Sequence, residues 1–321
     1  MDKLLIIDGN NLAHRCKHVF SLSNAGDDVS VLYGFLSVLT SYLRNFQPSA
    51  MMVAWDGGTP AYRTRLMPSY KATRNHGDPL EYEIFKAQLN KLQTILPSFG
   101  VISVQNFGSE ADDLMFHASR ISNIDDIIII SNDRDMLQAI NAKTSVYLPS
   151  SKTGGTLVSK TEVEKYIPVR FSSYLDWRAI QGDSSDNIIG VRMVGEQTAT
   201  KLFQEYGSLT NIMDAASSGK LTAKLGQNIV EFGTERLLNN IQVMSLWKDK
   251  TGAKQAIANA VSMWTPFSLA ICKKFLFKNA FVSLMQSDVY RLFGNLQNVS
   301  LVGTRYPVCK ERRNPIGQIT T

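Results

Sequence analysis

The sequence predicts an α/β protein with a mostly parallel central sheet and helices on both faces. Short apolar runs typical of buried strands alternate with stretches of helical periodicity, and acidic residues follow several of the runs. The strand signals cover 4–7, 51–55, 101–105, 127–130 and 145–148. Helical periodicity covers, among others, 31–45, 82–96 and 112–121. This alternation predicts parallel strands joined by helical crossovers.

Carboxylates from distant parts of the chain are expected at one edge of this sheet. They are Asp8, Asp56, Glu110, Asp112, Asp113, Asp133, Asp135, Asp183 and Asp186. Asp8, Asp56 and Asp133 follow the apolar runs at 4–7, 51–55 and 127–130, so each is expected at the carboxyl end of a strand. Open α/β sheets bind their ligands at that end.

The spacing of the acids supports a shared site. Glu110 and Asp113 are three residues apart at a predicted helix start, and Asp183 and Asp186 have the same separation. A single Asp after a strand is more often a turn former or helix N-cap than a ligand. The presence of an Asp after each of several strands instead indicates a metal site.

Hydrolysis of a phosphodiester bond is the chemistry that such a cluster suits. It requires an activated water and a stabilised leaving oxygen, and two divalent ions roughly 3.5–4 Å apart supply both. Mg²⁺ takes only one or two carboxylates directly, so several of these acids are expected to hold metal-bound water instead. The pattern therefore predicts a metal-dependent nuclease.

The charge balance favours a polyanionic ligand. The 321 residues carry a formal net charge of +6, and removing the nine clustered acids from 28 Asp and Glu leaves 19 against 34 Lys and Arg. A negative site within a basic surface suits nucleic acid. The alternative is that the basic charge serves solubility alone.

Membrane and disulfide chemistry are not indicated. No apolar run approaches the ~20 residues that span a bilayer, and no leader precedes the first strand, so we expect a cytosolic protein without a membrane partner. Cys16, Cys272 and Cys309 lack paired spacing and are expected to be packing residues. His14 and His18 are helically spaced but belong to no evident ligand set.

A basic segment follows Asp56. Residues 58–82 carry cations interleaved with tyrosines, namely Arg63, Arg65, Lys71 and Arg74 with Tyr62 and Tyr70. A long connection at this end of a sheet is either a functional lid or a disordered loop. We favour a lid, or arch, since such residues grip phosphates and stack on bases.

A helix-hairpin-helix is predicted within GDSSDNIIGVRMVGEQTATKLFQEYG. Gly190 and Gly195 bracket a turn before a helix that begins near Glu196 or Gln197 and carries Lys201. Backbone amides there would receive a DNA phosphate without reading bases. An ordinary helical hairpin packed on the sheet is the alternative.

Three regions are expected along the chain. Residues 1–170 form a nuclease domain that includes the arch, 171–250 form the helix-hairpin-helix module, and 251–321 form a helical extension without an assigned role. Helical periodicity in the extension covers 266–293.

Six segments, in the same order along the chain, resemble motifs of the 5′ nuclease family. This family includes flap endonucleases, the 5′-nuclease domains of bacterial DNA polymerase I and standalone phage exonucleases, and the chain resembles the phage exonucleases most. They are IDGNNLAHR, AWDGG, RTRLMPSYKATR, GSEADD, SNDRD and GDSSDN. The resemblance covers residues 4 to about 210 and continues weakly to about 247.

The resemblance implies a hydrolase that uses two Mg²⁺ or Mn²⁺ ions on DNA 5′ ends, flaps or nicks in replication or recombination, leaving a 5′-phosphate and a 3′-hydroxyl. RNA–DNA hybrids are a further expected substrate. We also expect a monomer in the cytosol of a bacterium or a phage-infected host, although the sequence leaves the oligomeric state open. A K⁺ site around 190–195 is a further expectation.

Residue roles follow by position in the matching segments. Asp8, Asp56, Glu110, Asp112 and Asp133 resemble the surroundings of the first metal. Asp135, Asp183 and Asp186 resemble those of the second, and Asp113 lies between the two groups. Lys71 and Arg74 match arch cations that steer the scissile phosphate, and with Asp133 they are the expected catalytic residues. DNA contacts are expected from Arg63, Arg65, Tyr70, Lys71, Arg74, Gly190, Gly195 and Lys201.

One departure concerns duplex anchoring. Met193 stands where the family usually has a small residue, and Met resists the positive φ that Gly permits. Two other functions remain open, a PIN-like ribonuclease and a non-catalytic structure-specific DNA-binding protein. The choice between exonuclease and flap endonuclease is also open.

Overall fold

The fold was analysed in a computed structural model that describes residues 2–73, 77–150, 154–247 and 251–297. Arg74 and Cys309 lie outside these ranges. The strands are β1 (Lys3–Asp8), β2 (Ser23–Asn24), β3 (Asp27–Asp28), β4 (Ala50–Trp55), β5 (Ile102–Gln105), β6 (Asp126–Ile130), β7 (Thr144–Leu148), β8 (Thr156–Val158), β9 (Gly182–Asp183) and β10 (Ile188–Ile189).

The helices alternate with these strands in the first half of the chain and dominate the second half. They are α1 (Gly9–Val19), α2 (Ser30–Phe46), α3 (Ala61–Leu66), α4 (Pro79–Ile95), α5 (Ala111–Ala118), α6 (Val163–Tyr166), α7 (Tyr174–Gln181), α8 (Glu196–Tyr206), α9 (Leu209–Ser217), α10 (Ala223–Phe232), α11 (Thr234–Met244), α12 (Ala253–Ser262), α13 (Leu269–Lys278) and α14 (Ser287–Gly294). Among the described residues, no helix has both the length and the apolar character needed to cross a bilayer.

The chain divides into two compact units. The first, called the sheet unit, comprises the described residues 2–58, 77–150, 154–160 and 251–297. The second, called the helical unit, comprises the described residues 59–73 and 161–247. The described part of the basic segment, residues 59–73, therefore clusters with the helical unit.

A six-stranded sheet of order β5-β4-β1-β6-β7-β8 forms the centre of the sheet unit. Its first five strands are parallel, and β8 pairs antiparallel with β7. The five predicted strands and the α/β class are confirmed. The edge strand β8 was not predicted, because its three residues are too few to show a pattern.

Alternate residues of each strand face opposite sides of this sheet. Leu5 and Ile7 of β1 join an apolar cluster with α1, α2 and α4. Leu4 and Ile6 are equally buried, and the α5 and α12 helices contact strands of the sheet. Burial on both faces explains why the strands appear in the sequence as continuous apolar runs.

The C-terminal helices belong to the sheet unit. Cys272, Leu276 and Phe293 lie in the same apolar cluster as β1, and the rings of Phe99 and Phe293 are 5.0 Å apart. The backbone N–H of Gln297 donates to the Ser49 carbonyl at 2.9 Å. Residues 253–297 therefore contribute to the core of this unit.

In the helical unit, α11 packs against α3 and α7. Two buried polar side chains fix this packing. Arg63 is 2% exposed and donates from Nε to the Val243 carbonyl at 2.9 Å. Asn240 donates from Nδ2 to the Ala179 carbonyl at 2.9 Å and to the Ile189 carbonyl at 2.8 Å, so it joins α7 to the β9–β10 hairpin.

Candidate active site

The carboxyl ends of β4, β1 and β6 lie side by side in the sheet and carry the first group of predicted acids. Asp8 is the last residue of β1 and caps α1, where its Oδ1 accepts from the Asn11 N–H at 2.9 Å. Asp56 follows β4, and its Oδ1 accepts from the Ala111 N–H at 2.9 Å. The end of β4 is thereby tied to the start of α5.

Asp8 lies in a buried, acidic environment. It is 7% exposed, and its Oδ2 accepts from the Ser131 hydroxyl at 3.0 Å. Burial raises the pKa of Asp8 to about 7, aided by the negative charges of Asp56 and Asp133 and opposed by the hydrogen bonds from Asn11 and Ser131. Asp56 and Asp133 are therefore each close enough to Asp8 to affect it electrostatically.

The other predicted acids of the sheet unit lie at the starts of two helical turns. Glu110 caps α5 in a capping box, in which the Glu110 N–H donates to Asp113 Oδ2 at 3.2 Å. Both side chains are buried, whereas Asp112 is partly exposed. The Asp135 N–H donates to Asp133 Oδ1 at 2.7 Å where the 3₁₀ turn Arg134–Ala139 begins.

These carboxylates match the donor chemistry of a hard divalent cation, since Mg²⁺ and Mn²⁺ prefer oxygen ligands. Within the described ranges, however, no three His, Cys, Asp or Glu side chains are arranged to hold a metal ion. Asp8, Asp56 and Asp133 instead accept hydrogen bonds from backbone N–H groups. An ionised carboxylate has about four acceptor sites, so these hydrogen bonds leave lone pairs on each side chain that could still bind a cation.

Asp183 and Asp186 belong to the β9–β10 hairpin of the helical unit. Arg178 donates from Nη2 to Asp183 Oδ2 at 2.6 Å, and the Ser185 hydroxyl donates to Asp183 Oδ1 at the same distance. Burial raises the pKa of Asp183, but the Ser185 hydrogen bonds and the Arg178 charge together hold it below its ordinary value. Asp183 is thus stabilised in its charged form.

Lys71 contacts this same hairpin. Its Nζ lies 3.6 Å from Asp186 Oδ2, and its backbone N–H donates to the Asp186 carbonyl at 2.9 Å. Asn187 donates from Nδ2 to the Ser69 carbonyl at 2.8 Å. Lys71 and Asn187 both have positive φ, at 55° and 57°. Residues 69–71 are therefore fixed on residues 186–187.

Two predicted DNA contacts of the basic segment are buried. Arg63 packs between helices as described above, and Tyr70 is 6% exposed with its hydroxyl donating to Asp186 Oδ2 at 3.3 Å. Both side chains make these contacts within the helical unit, and their contact with DNA stays a prediction. Arg65 is exposed on α3 and remains accessible.

The predicted hairpin has the expected local geometry. A Cβ on Gly190 would lie 1.9 Å from the Gln181 carbonyl oxygen, so only Gly fits there. Gly195 caps α8, which begins at Glu196, and the first turns of α8 with Lys201 line a shallow concavity. Met193 is 57% exposed and has a φ of 68°, so the hairpin adopts the left-handed conformation despite its side chain.

Sequence reasoning missed several polar residues that position the site. Asn10 Oδ1 accepts from the Asp56 N–H at 3.1 Å and so joins the ends of β1 and β4. Ser131 bonds Asp8, and Asn187 and Asn240 fix the β9–β10 hairpin. Asn10, Ser131 and Asn187 lie inside the quoted motifs, so their position in the sequence could have identified them. Asn240 lies in no motif, and nothing in the sequence indicated its role.

Comparison with known proteins matches two family models in succession. The 5′-3′ exonuclease N-terminal resolvase-like domain matches residues 3–167, and the 5′-3′ exonuclease C-terminal SAM fold matches residues 169–251. A 5′-3′ exonuclease of Mycoplasmopsis pulmonis is 30% identical over 249 residues, covering 77% of this chain and 82% of that protein.

Similarity extends to longer proteins and to a solved structure. The thermostable DNA polymerase I of Thermus filiformis is 33% identical over 214 residues, covering 66% of this chain. The match spans only 25% of the length of that polymerase. The flap endonuclease D15 of bacteriophage T5, solved with DNA and metal ions, superposes on this chain with a TM-score of 0.63 at 21% identity. The superposition covers 88% of this chain and 99% of the T5 protein, so the two chains share a fold. The chain therefore belongs to the 5′-3′ exonuclease family.

Proposed function

We propose that the protein hydrolyses DNA phosphodiester bonds near 5′ ends, flaps and nicks with the help of divalent metal ions. The observation that carries this proposal is the meeting of Asp8, Asp56 and Asp133 at the carboxyl edge of the sheet, where burial and mutual repulsion raise the pKa of Asp8 to about 7. Such a concentration of negative charge is stabilised by a bound cation.

Two Mg²⁺ or Mn²⁺ ions suit the available ligands. The first ion would be surrounded by Asp8, Asp56, Glu110, Asp112 and Asp133. Asp113 would lie next to this group, because it is hydrogen-bonded to Glu110 in the capping box. Asp135, Asp183 and Asp186 would serve the second. When bound, such ions supply an activated water and stabilise the leaving oxygen. The T5 enzyme named above was crystallised with metal ions and DNA, which supports this ligand class.

The residues of the chain itself would hold and orient the DNA. The Lys71 ammonium lies 3.6 Å from Asp186 Oδ2, and in the proposed reaction it directs the scissile phosphate together with Arg74. Arg65 and Lys201 are exposed cations suited to backbone phosphates. The backbone of residues 190–195 is the proposed duplex contact and the proposed site for K⁺.

Asp133→Asn tests the role of the acids. We expect cleavage of a 5′-labelled flap substrate in Mg²⁺ to fall by roughly 100-fold or more, because a neutral amide replaces a proposed ligand. Binding of the same DNA, measured by fluorescence anisotropy in EDTA, should change little. Wild-type products should be short 5′-labelled fragments that disappear when EDTA replaces Mg²⁺.

Asp125→Asn is the matched control, since Asp125 is exposed at the opposite end of the same strand. It should cleave at the wild-type rate. Cleavage by Asp133→Asn at that rate would refute the proposed role of Asp133. A preference for RNA over DNA in the same assay would favour a ribonuclease.

A further inference from the structure

Phe107 is the most exposed large apolar side chain among the described residues. It lies between β5 and α5 in the sheet unit, and 97% of its surface is accessible. Exposing an aromatic ring of this size forgoes substantial hydrophobic stabilisation, and a ring on a loop beside a functional site is a common means of ligand contact.

The turn that carries Phe107 is well defined. The Ser109 N–H donates to the Asn106 carbonyl at 3.0 Å, and Gly108 has a φ of 76°, as the third position of a type II turn requires. Asn106 Nδ2 donates to Ser109 Oγ and to the Thr251 carbonyl, each at 2.7 Å. Phe107 therefore lies at the tip of a turn braced on both sides.

This turn is also fastened to the loop that carries Asp56. Gly57 N–H donates to the Ser109 carbonyl at 2.8 Å, and Gly108 N–H donates to the Gly57 carbonyl at 2.9 Å. Gln105 Nε2 donates to the Asp56 carbonyl at 2.7 Å. A Cβ on Gly57 would lie 1.8 Å from the Asn106 carbonyl oxygen, so the two loops approach closely through Gly57.

These contacts join the turn that carries Phe107 to the backbone next to two predicted metal ligands. Asp56 immediately precedes Gly57, and Glu110 follows Ser109. A neutral ring offers nothing to a phosphate, but it stacks on the face of any nucleobase, and stacking of this kind tolerates all sequences.

We propose that Phe107 is a stacking platform for an unpaired nucleobase of the nucleic acid bound at the acidic edge of the sheet. This assignment rests on the proposed function, because it takes the ligand to be nucleic acid. The platform would hold the strand in register with the acids without selecting a sequence, which suits an enzyme that acts on strand ends.

Binding measurements on the full chain test this assignment. Anisotropy of a labelled 5′-flap DNA in Ca²⁺ should show about 5- to 150-fold weaker binding for Phe107→Ala than for wild type, as expected for the loss of one base stack. Phe107→Trp should retain wild-type affinity, and Phe107→Leu should lose most of it. Thermal melting should be unchanged for all three, since the side chain is exposed.

A scan of single abasic positions through the flap and junction adds the decisive result. At one position the abasic DNA should bind wild type and Phe107→Ala equally, because the stacked base is already missing. The control is Phe277→Ala, which removes another exposed ring, 76% accessible on α13, and should bind like wild type.

Equal affinity of wild type and Phe107→Ala for every substrate would overturn the assignment, as would an affinity loss that no abasic position removes. Cleavage of the flap in Mg²⁺ is measured in parallel. If wild type cleaves the flap but Phe107→Ala binds DNA as tightly as wild type, the stacking platform is refuted and the hydrolytic function is not. If the base contact depends on Phe107 but wild type does not cleave, the hydrolytic function is refuted and the platform is not. If wild type does not bind DNA, both are refuted.

Discussion

Met193 holds a backbone conformation that its side chain disfavours. Its φ of 68° lies in the left-handed region, which costs a residue with a Cβ roughly 1–2 kcal/mol. Met193→Gly is therefore expected to raise the free energy of unfolding by about 1 kcal/mol, reduced somewhat by the greater freedom of Gly in the unfolded chain. Urea denaturation of the two proteins measures this difference.

Arg192→Gly is the control for Met193→Gly. Arg192 is the exposed neighbour in the same turn and is not among the positive-φ residues, so its replacement by Gly should lower stability. A destabilised Met193→Gly protein would show that side-chain contacts of Met193 outweigh the backbone strain.

Asn187 is expected to position Lys71. Asn187→Gly keeps the positive φ but removes the amide that bonds the Ser69 carbonyl, so residues 69–71 should lose their fixed place on the hairpin. If Lys71 directs the scissile phosphate as proposed, kcat for flap cleavage should fall about tenfold while KM changes little. The reason is that the Lys71 ammonium would no longer be held in position for the transition state.

Ser184→Gly serves as the control for Asn187→Gly, since Ser184 is exposed in the same hairpin. Its kcat should match wild type. An unchanged kcat in Asn187→Gly, or a loss confined to KM, would contradict the positioning role.

At the scale of elements, α7 carries a buried acid with a pH-dependent effect on stability. Asp176 is 6% exposed, and within the described residues its Oδ1 has no hydrogen-bond partner. Burial raises the pKa of Asp176 from 3.8 to about 6. Between these values the folded state binds a proton that the unfolded state has released, so stability falls as pH rises from about 4 to 6.

Asp176→Asn is expected to remove this dependence. The variant should exceed wild type in unfolding free energy by up to about 3 kcal/mol above pH 6, with the gain disappearing below about pH 4. Urea denaturation from pH 4 to 8 measures it. Asp214→Asn, a change at an exposed acid on α9, should leave the wild-type pH dependence intact. A constant difference for Asp176→Asn across this range would contradict the account.

The elements that the sequence predicted well share one physical cause. Parallel strands buried on both faces must be apolar throughout, so β1, β4 and β6 are visible as uninterrupted runs such as Leu4–Ile7. The acids after them were predictable for the same reason. Short elements such as β8 and the β9–β10 hairpin leave no periodic signal, and their pairing depends on tertiary contacts such as those of Asn240.

The burial of individual side chains could not be predicted, because side-chain type does not determine burial. Arg63 and Tyr70 have the chemistry of nucleic-acid contacts, and the sequence alone gives no sign that both are buried in the helical unit. Phe107 shows the reverse case, since an apolar residue next to a strand is ordinarily expected in the core, yet it is exposed.

For the whole molecule, segments distant in sequence build each unit. Residues 253–297 complete the core of the sheet unit, where Arg44 Nη2 and Asp288 Oδ2 are 2.7 Å apart at its surface. Residues 59–73 belong to the helical unit. The proposed ligands are divided accordingly, with seven acids in the sheet unit and Asp183 and Asp186 in the helical unit.

Isothermal titration of the full chain with Mn²⁺ tests most directly whether the acids at the carboxyl ends of β1, β4 and β6 bind divalent metal. Wild type should bind Mn²⁺, and Asp8→Asn and Asp56→Asn should each weaken that binding by about 10-fold or more, while Asp125→Asn should not. Absence of Mn²⁺ binding by wild type, or equal binding by all four proteins, would contradict the account.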